Sequence, residues 1–483
     1  MTNNTKLRTS SYIIASEIPE YPEKYILVHS YSGALDIVSS NVARFLSENE
    51  EIDETVVNKY DLTEATVKIL KKRCYLTEKN IQEERSYVSE LANLIKKTKN
   101  NKSGFVCLVT YDCNFRCPYC YENGISNSGK GWTQKAYDKE LTDRFYYAIE
   151  ELDTGKENHI KEILLYGGEP LLEKNSNVVV YLVEKGLDKG FTFEAVTNGY
   201  DLDKYENLLG SDKIKQIQIT LDGPEEQHNK RRIHYKNRDS FKVIIDNLKK
   251  ALSKEVKVSI RINTDIRNIN SIADLFEELD KQSILNNDNL SIYSMPVDTT
   301  EKKFELYNNN YVSRCTNGFS REYINQMFNL VKYNPLLNKL RYHNSKYERI
   351  LKGVIEKNNL IPFDIIFCGA QGNMLVFDPY GDLYTCWEVV GRKEFCVGQF
   401  APQLSINDEK ISLWRNRNIL TNKICSNCEY ALLCGGGCVG KAALSSKTFD
   451  SVFCDNFQDS FRAIAGRVAK EHLEKNMQKL KTN

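Results

Sequence analysis

Between Phe105 and about Pro296, six short apolar runs alternate with longer segments of helical spacing. That alternation restricts the chain to βα units around a parallel sheet. Strands are expected at residues 105–110, 163–166, 191–197, 217–221, 256–263 and 290–295, with helices at 134–151, 176–189, 240–253 and 270–279. Six repeats fit a partial (β/α)6 barrel better than the eight of a closed one, although the spacing also permits a doubly wound sheet. Crossovers of one hand bring all strand ends to one face, where ligands gather in such folds. The distinctive turns fall there: Cys113 to Cys120 after the first strand, Gly167-Gly-Glu-Pro170 after the second, Thr197-Asn-Gly199 after the third, Asp222-Gly223 after the fourth, and Arg261 and Asn263 closing the fifth.

The chain has 14 cysteines among 483 residues, and they are grouped. Cys113, Cys117 and Cys120 form C-x3-C-x2-C, while Cys368, Cys386, Cys396, Cys425, Cys428, Cys434, Cys438 and Cys454 share one C-terminal segment. The first residues, Met1-Thr-Asn-Asn-Thr-Lys-Leu-Arg, lack the apolar stretch of an export signal, so a disulfide framework is not expected. Clustered thiols in a reducing, cytoplasmic setting read as ligands for zinc or iron–sulfur. Three thiolates are one too few for a closed tetrahedral zinc site, yet enough to hold a four-iron cluster with one iron open. With 66 basic and 65 acidic residues the net charge is +1, which gives no general attraction to nucleic acid or anionic lipid. No apolar run approaches the ~18 residues of a membrane span.

The triad, with Tyr119 before its third cysteine, resembles the signature of the radical S-adenosylmethionine (SAM) superfamily. The resemblance implies a cluster on Cys113, Cys117 and Cys120 whose open iron chelates SAM, cleaved on one-electron reduction to a hydrogen-abstracting 5′-deoxyadenosyl radical. Gly167, Gly168, Glu169 and Pro170 resemble the turn that meets the SAM amino group, with Glu169 anchoring the turn rather than binding the cluster. Paired glycines allow close approach to a ligand. Thr197 and Asn198 resemble the segment near the ribose and methionine. Ser259 and Arg261 are assigned to the same rim, Arg261 either contacting SAM or pairing with Glu169 or another acid. His228 reads as a structural histidine before a proton carrier.

The C-terminal spacing resembles the SPASM domain of radical SAM enzymes that mature peptides and proteins. It implies two auxiliary four-iron clusters, a far one on Cys425, Cys428, Cys434 and Cys454 and a near one on Cys368, Cys386 and Cys438. Cys396, or less readily Cys315, is available as an eighth ligand; otherwise the near cluster keeps an open iron. A pair of zinc knuckles is the bland alternative. Gly435-Gly-Gly437 reads as a flexible turn separating Cys434 from Cys438. Cys74 and Cys107 read as buried and structural. Sulfatase-maturing members carry a basic Asp directly after the cysteine equivalent to Cys386. Trp387 stands there instead, with Glu388 one position late, which disfavours formylglycine formation.

Residues 1–97 are expected to form a small α+β, winged-helix-like domain, with a strand at 25–29, a turn at Ser32-Gly33 and helices at 38–46, 61–72 and 87–97. It resembles, less firmly, a peptide-recognition module whose strand edge accepts a leader peptide; the alternative is a lid on the barrel. The polar run from Lys96 to Gly104 reads as a linker. Residues 98–300 form the barrel, 301–362 a helical connector, and 363–483 the Cys-rich module with a terminal helix at 461–480. The implied enzyme abstracts hydrogen from a ribosomally made precursor peptide and forms a Cys thioether. Carbon–carbon crosslinking, epimerisation or another radical modification is the alternative. An iron–sulfur electron carrier or peptide-binding scaffold is the non-enzymatic reading. Implied partners are the leader-bearing peptide and a flavodoxin- or ferredoxin-type electron donor.

Overall fold

The protein's structure, a computed structural model, describes residues 6–98, 103–120, 122, 131–152, 159–297, 306–307, 310–311, 319–446 and 448–482. After a short strand at Leu7–Thr9, which pairs with Glu51–Ile52 and Leu76–Thr77, comes an antiparallel sheet of β1 (Ile13–Ile18), β2 (Tyr21–His29) and β3 (Leu35–Ser39). Every second side chain of β1 is buried, the period of a strand with one face on a core. Ser39 caps α1 (Ser40–Glu48) through the Val42 N–H, and Thr63 caps α2 (Glu64–Lys72) through Thr66. Val38, expected in a helix, pairs with Tyr25 in β3, because the β-branched Ile37-Val38 pair suits a strand and the cap comes only at Ser39. The expected linker is also shorter: α3 (Ile81–Thr98) absorbs Lys96 to Thr98, and residues 99–102 lie outside the described residues. Cys107 is fully buried, whereas Cys74 is half-buried and has a left-handed backbone at φ +67°.

All six barrel strands form: β4 (Ser103–Thr110), β5 (His159–Gly167), β6 (Thr192–Thr197), β7 (Ile214–Thr220), β8 (Lys257–Thr264) and β9 (Leu290–Pro296). They are parallel and lie side by side in chain order. A doubly wound sheet would reverse that order at a switch point, so the architecture is a partial barrel. One face is apolar and fully buried, with Ile163, Phe193, Ile217, Ile219, Ile260 and Ile292 in the main core. The helices α4 (Lys139–Leu152), α5 (Ser176–Asp188), α6 (Glu225–Arg231), α7 (Phe241–Ser253) and α8 (Ile272–Lys281) intervene between the strands. The alternate residues, including Glu194, Gln218, Ser259, Arg261, Ser291 and Tyr293, are only half-buried and give the barrel a polar inner face.

Both edges of this sheet are extended. Within the expected connector, α9 (Phe319–Tyr333) leads to β10 (Leu340–Tyr342), a strand parallel to β9, and then to α10 (Lys346–Lys357). Three residues are too few to show an alternation in sequence, so this strand reads as part of a helical stretch. On the other edge β11 (Met374–Phe377) pairs parallel with β4, followed by antiparallel β12 (Asp382–Tyr384), β13 (Gly398–Gln399) and β14 (Ser405–Ile406), making eleven strands. The last helix, α11 (Phe457–Thr482), returns to pack on β1, α9 and α10. Among the described residues no helix is long and apolar enough to cross a membrane.

Candidate functional site

The triad loop leaves β4 and is clamped at once by the turn after β5. Gly168 and Glu169 donate their N–H groups to the carbonyls of Thr110 and Asp112, at 3.0 and 2.8 Å. Gly167 has φ +135°, and a methyl group on Gly168 would lie 2.5 Å from the Tyr111 carbonyl oxygen. The close approach that needs these glycines is therefore to the backbone of the triad loop itself, where the sequence suggested a ligand. Glu169 is buried, and its oxygens accept from Leu171 N–H, the Thr197 hydroxyl and Asn198 N–H at 2.9, 2.7 and 2.5 Å. Burial pushes its carboxyl up to about 7, against the pull of those donors. Asn198 in turn donates its amide to Asn114 at 2.7 Å and comes within 4.0 Å of the Cys113 sulfur. The side chains of Glu169, Thr197 and Asn198 thus knit three strand ends together around the first cysteine.

The third cysteine is fixed from the opposite side. The Tyr119 hydroxyl donates to Asp222 and accepts from Arg232 Nη1 at 3.0 Å and Asn263 Nδ2 at 3.3 Å. Asp222, buried at the end of β7, also accepts from Asn263 N–H at 2.9 Å and lies 3.5 Å from Arg231. The sequence pointed to Asp222-Gly223 and His228; the Tyr119–Asp222–Arg232 link joins residues over a hundred positions apart and had no local signal. His228 is fully buried between Asp222 N–H and the Ser240 hydroxyl, and burial holds it well below its ordinary pKa, so it is structural. Arg261 donates to Asn263 at 2.8 Å and forms no ion pair with Glu169 or any other carboxylate among the described residues. Ser259 accepts from Ser291 at 3.2 Å. Proline 170 (Pro170) is buried behind the turn.

Burial raises all three triad thiols, Cys120 to about 12, and the carboxylates of Glu169 and Glu122 add to the effect on Cys113 and Cys120 respectively. Bare thiols here keep their protons near neutral pH, and only a bound cation would make them thiolates. The C-terminal cysteines fall into two groups by the charges that act on them. Cys386 responds to Cys438 and Cys368, whereas Cys454 responds to Cys434, Cys425 and Cys428. The glycines between Cys434 and Cys438 have φ of +73°, +91° and +71°; a side chain on Gly435 would lie 2.5 Å from the Ile366 carbonyl, and one on Gly437 would meet that of Phe453. Packing fixes this turn, contrary to the flexibility expected. Arg417, buried and bonded to the carbonyls of Phe449, Gly436 and Ser451, carries its charge between the two groups and was not foreseen. Cys396 donates to the Gly398 carbonyl at 3.0 Å, next to Asp382 and Lys393, and Cys315 lies outside the described residues. Among the described residues no three ligating side chains converge tightly enough for a single metal ion.

Two features connect the site to the rest of the molecule. Trp387 packs on Tyr166 with ring centroids 5.5 Å apart, joining the end of β5 to the Cys386 segment. A cavity of about 680 Å³ lies beside β3, lined by Leu35, Asp36, Lys72, Arg73, Leu360 and His472. Among the described residues β3 pairs only with β2, and its other edge, where Arg73 Nη2 donates to the Leu35 carbonyl at 3.1 Å, has no strand partner.

The donor set fits a four-iron cluster with SAM. Three soft ligands sit at the ligand-bearing rim, and the buried Nε of Arg232, beside Cys117, has no hydrogen-bond partner among the described residues. Residues 107–279 match the Radical SAM superfamily. The GTP 3',8-cyclase of Campylobacter curvus is 32% identical over 125 residues, 25% of this chain and 35% of its own length. The radical SAM cyclopropyl synthase TigE of Paramaledivibacter caminithermalis is 22% identical across 99% of this chain and 98% of its own. The chain spans only 32% to 50% of the length of the first curated relatives it matches. Among solved structures, anSMEcpe with bound AdoMet aligns at a TM-score of 0.53 and 18% identity, over 75% of this chain and 95% of that one. Streptococcus suis SuiB bound to precursor peptide SuiA aligns at 0.50 and 13%, over 93% and 99%. These structural likenesses concern the fold.

Proposed function

We propose, from the premise that this chain carries a radical SAM domain at residues 107–279, that it is an enzyme that modifies a residue of a peptide or protein by hydrogen abstraction. The observation that carries the reading is the clamp of Gly168 and Glu169 on the triad loop, at the rim where five strand ends meet. Cys113, Cys117 and Cys120 would hold the SAM-binding cluster, and the seven C-terminal cysteines two auxiliary ones. When bound, these groups would supply a 5′-deoxyadenosyl radical and a route for the spare electron.

The chain's own residues position the chemistry. Tyr119, Asp222 and Arg232 orient the third-cysteine segment, and Glu169 fixes the turn that faces SAM. Arg261, without a carboxylate partner, suits a carboxylate of the cofactor or substrate on the polar inner face. The Trp387–Tyr166 contact walls the barrel mouth toward the near cysteine group. The unpaired edge of β3 suits an extended peptide added as a strand, with its core segment delivered to the barrel. The full-length likeness to a cyclopropyl synthase favours carbon–carbon bond formation or another radical modification over a thioether crosslink.

Anaerobic reconstitution with iron and sulfide, then dithionite and SAM, tests the reading. The unaltered chain should form 5′-deoxyadenosine, and joint replacement of Cys113, Cys117 and Cys120 by Ala should abolish it. Zinc in place of iron at the triad, or no SAM cleavage by fully loaded protein, sinks the proposal. A mass loss of two hydrogens in a candidate peptide would mark bond formation, whereas an unchanged mass with altered stereochemistry would mark epimerisation.

A further inference from the structure

We propose that Arg232 is a positioning cation that faces the triad site and raises its affinity for an electron; this rests on the reading that the triad holds a four-iron cluster. The residue is only 8% exposed. The guanidinium is gripped on both sides of Cys117: Nη1 donates to Tyr119 at 3.0 Å, and its carbon lies 5.4 Å from the Phe115 ring centroid. Phe115 and Tyr119 stand two residues before and after Cys117, so the cation spans that cysteine's segment.

What remains is a buried N–H with nothing to bond. Arg232 Nε has no hydrogen-bond partner, and Arg232 forms no ion pair with a carboxylate among the described residues. A buried donor left unsatisfied is destabilising, and native folds seldom keep one without a ligand to complete the bond. Arg231, next in the chain, donates to Asp265 at 2.9 Å and to the Asn263 carbonyl at 3.1 Å, and its own Nε, likewise without a hydrogen bond, lies 3.5 Å from the Asp222 carboxylate. Burial disfavours the charge on Arg232 and the Asp222 carboxylate favours it, and a guanidinium is in any case not deprotonated inside proteins. It therefore stays protonated throughout any working pH range.

A one-electron reduction of a cluster held there would add one negative charge, which the permanently charged guanidinium would offset electrostatically without any proton transfer. A fixed positive charge in a poorly solvated pocket favours the reduced state, and an N–H donated to cluster or thiolate sulfur acts in the same direction.

The test uses the full, anaerobically reconstituted chain. Its paramagnetic signal is titrated with dithionite against solution potential, following the component that changes when SAM is added. Arg232→Gln should lower that midpoint by about 59 mV or more, a tenfold loss in the one-electron equilibrium, and Arg232→Lys should fall between. An unchanged midpoint in Arg232→Gln overturns the proposal. So does an unchanged midpoint with a weakened response to SAM, which would assign the guanidinium to the cofactor's carboxylate. If Arg232→Gln fails to load iron, Arg232→Lys decides, and an unaltered midpoint there overturns it equally. Absence of any SAM-responsive signal in the unaltered chain defeats the proposed function first, and this assignment with it.

Discussion

Gly168 has no space for a methyl group, since one would sit 2.5 Å from the Tyr111 carbonyl oxygen in the backbone of the triad loop. Gly168→Ala should therefore cost at least about 1–3 kcal/mol, as overpacking against rigid atoms does. It should lower the melting temperature and the iron retained at the triad, measured by calorimetry and metal analysis. A fully stable, fully loaded variant would contradict the clamp described here. The sequence displayed this glycine pair and the three cysteines because each is a short motif. It did not display why the glycines are needed, since the atoms they touch, Tyr111 and Asp112, lie more than fifty residues away. The same holds for Arg232 and Tyr119. Roles written within one turn could be read; roles that depend on two strand ends meeting could not.

Strands β4 to β9 were legible because each is a compact apolar run bounded by polar turns. Strand β10 was not, because three residues on an edge leave no periodic trace. The N-terminal sheet offers a test at this scale. His29 on β2 is fully buried, with Nε2 2.9 Å from the Ser10 hydroxyl and its ring 4.3 Å from that of Tyr31. Burial pushes its pKa down to about 4, so the folded chain resists a proton that the unfolded chain accepts near ~6.5. Between those values the unfolded state binds more protons, and stability falls as the pH drops. From pH 7 to pH 5 the opening free energy of β1 and β2 should decrease by about 2 kcal/mol, as read by amide hydrogen exchange. His29→Gln should flatten that dependence. An unaltered slope would place the titrating group elsewhere.

At the scale of the molecule, three compositional zones were visible, but not that the first packs on the last or that the second and third share a sheet. Pairing of edges leaves no mark in composition. The N-terminal sheet is held by α11, where a side chain on Gly466 would run into the Glu17 carbonyl of β1. Gly466→Ala should loosen that union, exposing the segment before Thr98 to protease while leaving SAM cleavage by the loaded barrel largely intact. If the proposed peptide cleft beside β3 depends on that packing, peptide affinity should fall with it; equal protease resistance in both proteins would argue that the helix merely rests there. The seam between β4 and β11 has a different consequence. Shortening the chain after α10 would strip one side of β4 of its backbone partners, and a bare strand rim is a template for self-association. Anyone building hybrids from this chain would therefore do best to transplant both sides of that seam as one piece.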